Sequence, residues 1–122
     1  MSQTQYFSSH PKLPFSEAVR VGDLLYLSGN IGDGADGKLV SGGIQAETRQ
    51  AMENIKEVLA KHGLTMNNVV KCLVMMADMN EWKAMNEVYV TYFPEHLPAR
   101  SAFGATALAM GARMEIECIA AF

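Results

Sequence analysis

"IQAETRQAMENIKEVLAKHGLTMNNVVKCLVMMA", residues 44–77, changes its periodicity part-way, and that change decides the fold class. In the first part Thr48, Ala51, Met52, Ile55, Val58, Leu59 and His62 recur at three- and four-residue steps, while Glu47, Arg49, Glu53 and Lys56 fall mostly on the other side. That is the pattern of an amphipathic helix, and Gly63 is placed to end it at a C′ position. The second part, "NVVKCLVMMA", is short, apolar and rich in Val and Leu, which suits an interior strand. A helix followed at once by a buried strand points to layers of helix on sheet.

Working outward, "FSEAVRVGDLLYLSGNIG" at 15–32 splits into two β-type runs around Gly22-Asp23, and the spacing predicts a hairpin. "GDGADGKLVSGG" is punctuated by Gly and Asp and reads as loop with at most a short extended piece. Beyond the interior strand, Asp78 with Glu81 three residues on has the form of a capping box opening a second helix. Trp82, Met85, Tyr89, Tyr92 and Phe93 would form its buried stripe, and Pro94 ends it. Two further strands are expected, one from Arg100 through Thr106 and one in "RMEIECIAA". In the latter Arg113, Glu115 and Glu117 alternate with Met114, Ile116 and Cys118. The two are read as a C-terminal hairpin.

The order is strand, strand, loop, helix, strand, helix, strand, strand: an α+β fold in which two helices cover one face of a sheet. The other face still carries Val, Leu and Met with nothing left in the chain to hide it. Burial against copies of the same chain is the expectation.

The 122 residues fit one domain, spanning 1–122, with a modest core. A formal charge of −3 with no Lys/Arg run argues against nucleic acid as the main partner. No stretch is long and apolar enough to span a bilayer, so no membrane partner is expected. "MSQTQYFSSH" lacks the basic-then-apolar pattern of a secretory signal, which makes a cytoplasmic protein the expectation. Cys72 and Cys118 sit in apolar runs outside any CxxC pair and read as buried free thiols. His10, His62 and His96 have no ligand-type spacing, so no metal is expected. The nine methionines read as core filler.

Chemistry concentrates in "LPARSAFGATALAMGA", residues 97–112, where Arg100 is the single charge. A guanidinium cannot escape desolvation by losing its proton, so Arg100 requires either a carboxylate of this chain or an anionic ligand. Glu115 on the next predicted strand is the candidate internal partner. The pairing reading joins Arg100 and Glu115 as an ion pair across the strands. The chemical reading gives Arg100 to a substrate carboxylate, gripped by two parallel N–H bonds, and Glu115 to a water.

"SGNIG" at 28–32, "SGGIQAETRQAMENIKEVL" at 41–59, "NNVVK" at 67–71, "MNEVYVTYF" at 85–93, "PARSAF" at 98–103 and "EIECIAA" at 115–121 together resemble the RidA/YjgF family, in order and over nearly the whole chain from Leu13. The resemblance implies a chorismate-mutase-like α+β fold and a homotrimer with clefts between subunits. It also implies a cofactor-independent hydrolysis of reactive 2-imino or enamine acids, such as 2-iminobutanoate, to 2-oxo acids and ammonia. By the same resemblance Arg100 of "PARS" would hold the substrate carboxylate, and Glu115 of "EIE" would orient the attacking water. Backbone groups around Gly29, Ser101 and Ala102 would line the pocket, and Asn86 matches a residue of structural character.

The chain departs from the family pattern at defined points. Phe15 in "LPFSEAV" stands where the family commonly has tyrosine; it packs against an aliphatic substrate but donates no hydrogen bond. Ala102 stands at a position often held by cysteine, and Gly104 and Ala107 stand where a glutamate and a second arginine are usual. An enzyme and a non-catalytic module that binds a small carboxylate both remain open on these residues, and turnover separates them.

Overall fold

A computed structural model describes residues 3–9 and 13–122. His10 lies outside the described residues. Six strands and two helices follow in the order β1 (Thr4–Ser8), β2 (Ser16–Val21), β3 (Leu24–Leu27), α1 (Ile44–Ala60), β4 (Val69–Met76), α2 (Trp82–Tyr89), β5 (Ala99–Gly104) and β6 (Met114–Ala121). The sheet runs β1-β2-β3-β6-β4-β5. Every pairing is antiparallel except β4 with β5.

Local chemistry explains most boundaries. Gly22 takes φ 58° between β2 and β3, which is the expected hairpin. Gly63, at φ 73°, ends α1 through two bonds of a Schellman motif: Leu64 N–H to Leu59 O at 3.0 Å and Gly63 N–H to Ala60 O at 3.1 Å. The second helix departs from expectation. Asp78 accepts from Asn80 N–H at 2.9 Å but caps only a 3₁₀ turn, and α2 begins at Trp82. Glu81 closes no capping box, because its carboxylate receives Arg113 Nη1–H at 2.8 Å. The reciprocal box occurs instead at Thr65 and Asn68.

β5 and β6 do not form a hairpin. β4 and β5 run parallel, so the chain between them must cross over through α2, which leaves β5 at the sheet edge. The segment 105–113 then passes the end of β4, where Met76 is paired with both Gly104 and Met114. β6 enters the remaining slot, between β4 and β3.

Both helices pack on one face. Met52, Ile55 and Leu59 of α1 and Met85 and Tyr89 of α2 meet Leu25, Cys72, Val74, Met114 and Ile116 of the sheet. Glu47, expected on the outer side of α1, is buried: it accepts the Arg113 backbone N–H at 2.8 Å and lies 3.8 Å from that guanidinium. On the opposite face of the sheet Tyr6, Val21, Leu24, Tyr26 and Phe103 are exposed, and no helix among the described residues covers them. No helix among the described residues is long and apolar enough to cross a membrane.

Candidate functional site

Arg100 is opposite Cys72 in the β4/β5 register, and Cys72 is buried, so the arginine points to the helix side of the sheet. There Trp82, Asn86 and Tyr89 form one stripe of α2 at four- and three-residue steps. Arg100 Nη1–H donates to Asn86 Oδ1 at 2.6 Å. Its Cζ lies 4.7 Å from the centre of the Tyr89 ring and 5.9 Å from that of Trp82. No carboxylate among the described residues lies within ion-pair distance of it. A guanidinium has five N–H donors, so one amide oxygen and two aromatic faces orient this cation without neutralising it. A cavity of about 240 Å³ opens beside it, lined by Asn86, Tyr89, Val90, Leu97, Pro98 and Arg100.

Glu115 belongs to a different wall. It is paired with Met75, while its neighbours Met114 and Ile116 are buried, so its side chain emerges on the face away from the helices. The carboxylate rests against Gly29, where a Cβ would overlap it. Burial is the larger cause, and the nearby Glu117 charge the smaller, that holds the Glu115 carboxyl above the usual carboxylate range. A second cavity, of about 440 Å³, brings Phe15, Gly29, Asn30, Met110 and Glu115 together. Met110 takes φ 59°, a left-handed conformation uncommon for a side chain of its size.

The structure therefore separates the two charges read as neighbours. β4 lies between their strands and they occupy opposite faces, so the ion pair expected across a hairpin is not formed within the chain. Ser101 and Ala102 follow Arg100 on the edge strand. Ser101 is exposed and Ala102 packs on the core, and one side of this strand's backbone has no strand partner. Trp82, expected in the buried stripe, is 42% exposed and stands over Arg100, whereas Tyr89 is buried as expected. The signal was present: a cation on one strand facing Trp, Asn and Tyr on a single helix stripe. The remaining histidines lie elsewhere, His62 edge-on to Phe7 and His96 Nε2 3.0 Å from Asn67 O.

A family model described as endoribonuclease L-PSP matches residues 7–122. The chain belongs to this family. Among its relatives, the 2-iminobutanoate/2-iminopropanoate deaminase of Mus musculus is 48% identical over 108 residues, covering 88% of this chain and 80% of the relative. Reactive Intermediate Deaminase A, chloroplastic, of Arabidopsis thaliana is 41% identical over 88% of this chain and 58% of the relative. Among solved structures, RidA from the Antarctic bacterium Psychrobacter sp. PAMC 21119 superposes with a TM-score of 0.87 at 34% identity, covering 99% of this chain and 98% of that one. E. coli TdcF with bound serine superposes with a TM-score of 0.85 at 28% identity, over 96% and 93%. The α+β architecture with a mixed sheet and two helices is shared with these proteins of the L-PSP family.

Proposed function

We propose that this L-PSP family member is a cofactor-independent deaminase that hydrolyses reactive 2-imino or enamine acids, such as 2-iminobutanoate, to 2-oxo acids and ammonia. The site lies in a cleft between two copies of the chain, assembled as a homotrimer. One observation carries the reading: Arg100 is held in place yet lacks a carboxylate of its own chain, while Glu115, Phe15 and Gly29 line a separate cavity on the other face. A neighbouring copy seated on the uncovered apolar face brings the two half-sites into one cleft. The deaminase names of relatives at 41–48% identity support the reaction class. The serine bound to TdcF supports a small ligand with a carboxylate.

The residues supply the steps. Arg100 grips the substrate carboxylate with paired N–H donors, and Asn86 fixes the plane of the fork. A protonated imine is already a strong electrophile, so water adds at its carbon once it is placed. Glu115 takes the proton as the C–O bond forms, and its raised pKa makes it a better base than an ordinary carboxylate. The same proton returns to the nitrogen, and as the C–N bond breaks Glu115 takes the remaining O–H proton; the 2-oxo acid forms, and the departing ammonia carries that proton away as ammonium. Phe15, Gly29 and the backbone at Ser101 and Ala102 shape the pocket around the aliphatic part.

A second reading, a non-catalytic site that binds a small carboxylate, is favoured by Phe15, which is 51% exposed and offers the substrate no hydroxyl. The deciding experiment generates 2-iminobutanoate in situ from threonine with a dehydratase and follows 2-oxobutanoate. Acceleration by the wild type that is lost in Arg100→Ala supports the deaminase. No acceleration by assembled wild type, with 2-oxobutanoate still binding through Arg100, replaces it with the binding module.

A further inference from the structure

We propose that Cys72 and Cys118 are an oxidisable pair that closes to an intrachain disulfide when the folded protein meets a peroxide. They stand directly opposite each other on β4 and β6, both facing the helices. Facing residues of an antiparallel pair have Cα atoms about 4.5 or 5.5 Å apart. Both spacings lie inside the range of about 4.4–6.8 Å that a disulfide spans without backbone movement. The thiols already touch, with Sγ···Sγ at 3.1 Å, although the residues are 46 positions apart in sequence.

The surroundings assign the two sulfurs different parts. The contact between the two thiols is the main cause that lowers the Cys72 pKa; burial opposes it, and the Tyr89 hydroxyl and the nearby Arg100 and Lys71 charges add to it. The same contact, together with burial, pushes Cys118 well up. Cys72 stands opposite Arg100 on the neighbouring strand, nearer the cavity that Arg100 lines, and is the nucleophile; Cys118 is the resolving thiol. Tyr89 and Arg100 both neighbour the Cys72 thiol and both line the 240 Å³ cavity, so the buried sulfur lies behind one layer of side chains and peroxide reaches it by a local opening. The Tyr89 hydroxyl is buried beside the Cys72 thiol. Burial raises its pKa first, and the Cys72 charge second, so it stays protonated beside the thiolate.

The chemistry balances with hydrogen peroxide as the oxidant. The Cys72 thiolate attacks one peroxide oxygen, the O–O bond breaks, and hydroxide leaves and takes a proton as water. Cys118 sulfur then attacks the sulfenic sulfur of Cys72, the S–S bond forms, the S–O bond breaks, and the departing hydroxide takes the Cys118 proton. Two thiols lose two electrons and one peroxide becomes two waters. The bridge ties the edge-side strand β4 to β6 immediately behind Arg100.

The test treats the folded wild-type protein with hydrogen peroxide, quenches, denatures, alkylates and maps the peptides by mass. A peptide linked through Cys72 and Cys118, 2 Da below the sum of the reduced pair and reversed by dithiothreitol, is expected. A rise in Tm should accompany it. In Cys118→Ser, a dimedone adduct should appear on Cys72. Two alkylatable thiols after treatment, sulfinic acid on either cysteine without the linked peptide, or a disulfide between two chains would overturn the proposal.

Discussion

Asn86→Asp changes one atom of the Arg100 environment and asks for whom the guanidinium is kept. In the wild type Nη1–H reaches Asn86 Oδ1 at 2.6 Å, a bond that orients the cation and leaves its charge in place. An aspartate there has the reach to accept the same bond and supplies the carboxylate the chain otherwise lacks. A hydrogen bond to a charged group contributes about 1.5–3 kcal/mol net. A substrate carboxylate must displace or share that pair, so KM for 2-iminobutanoate should rise by roughly 10- to 100-fold. Tm should hold or increase, because a half-buried cation gains a partner. Asn86→Ala is the companion variant: it loses the positioning bond and adds no competitor, so kcat/KM should fall mainly through kcat. The assay couples threonine dehydratase to 2-oxobutanoate formation, with assembly checked by light scattering. An Asn86→Asp protein that is folded, assembled and unchanged in KM would refute the assignment of Arg100 to a substrate carboxylate.

Other outcomes follow from the same geometry. Gly29→Ala places a methyl group where the Glu115 carboxylate lies, so activity should drop by at least about tenfold, with a stability loss of about 1–3 kcal/mol by urea unfolding. Because burial raises the Glu115 pKa, the acid limb of the wild-type pH profile of kcat/KM should lie above the usual carboxylate range. The same shift makes ionised Glu115 destabilising at neutral pH, so Glu115→Gln should be more stable there, the gain fading as pH falls through the raised pKa. Phe15→Tyr returns a hydroxyl to the Glu115 cavity and should raise kcat, by an amount read from the coupled assay. Tyr26→Glu puts a charge on the uncovered apolar face, and light scattering should then show a smaller assembly than the wild type.

How far the sequence could be read depended on the range of the interactions involved. Helix α1 was legible because its stripe and its Gly63 stop are local, and so was the β2–β3 turn at Gly22. The alternation of β6 was also plain, with Met114, Ile116, Cys118 and Ala120 buried. β1 escaped notice because "TQYFS" is short and mostly exposed, with little apolar pattern to mark it. The placement of β6 between β3 and β4 could not be read from strand spacing, since it depends on a parallel crossover that sends β5 to the edge. That one topological step put Arg100 and Glu115 on opposite faces. Glu47 was misplaced for a simpler reason: helical periodicity assigns a charge to solvent, and only the Arg113 backbone N–H explains why this one is inside.

The family resemblance pointed to Arg100, Glu115, Phe15 and Gly29, but their division between two cavities was not legible in the sequence. The count of elements, two helices for a sheet with two apolar faces, implied an uncovered face and hence an assembly. Within one chain neither cavity holds both the cation and the carboxylate, and the proposed assembly is what would bring them together.

The central claim is that Arg100 of one copy works with Glu115 of another. Co-expression of Arg100→Ala and Glu115→Gln chains carrying different tags, followed by isolation of mixed assemblies, tests it directly. In a mixed homotrimer one of the three subunit contacts joins the intact arginine of one chain to the intact glutamate of another, so about a third of the sites regain both groups. The account predicts imine hydrolysis at about that fraction of the wild-type rate from two inactive parents. Mixed assemblies as inactive as either parent would contradict it.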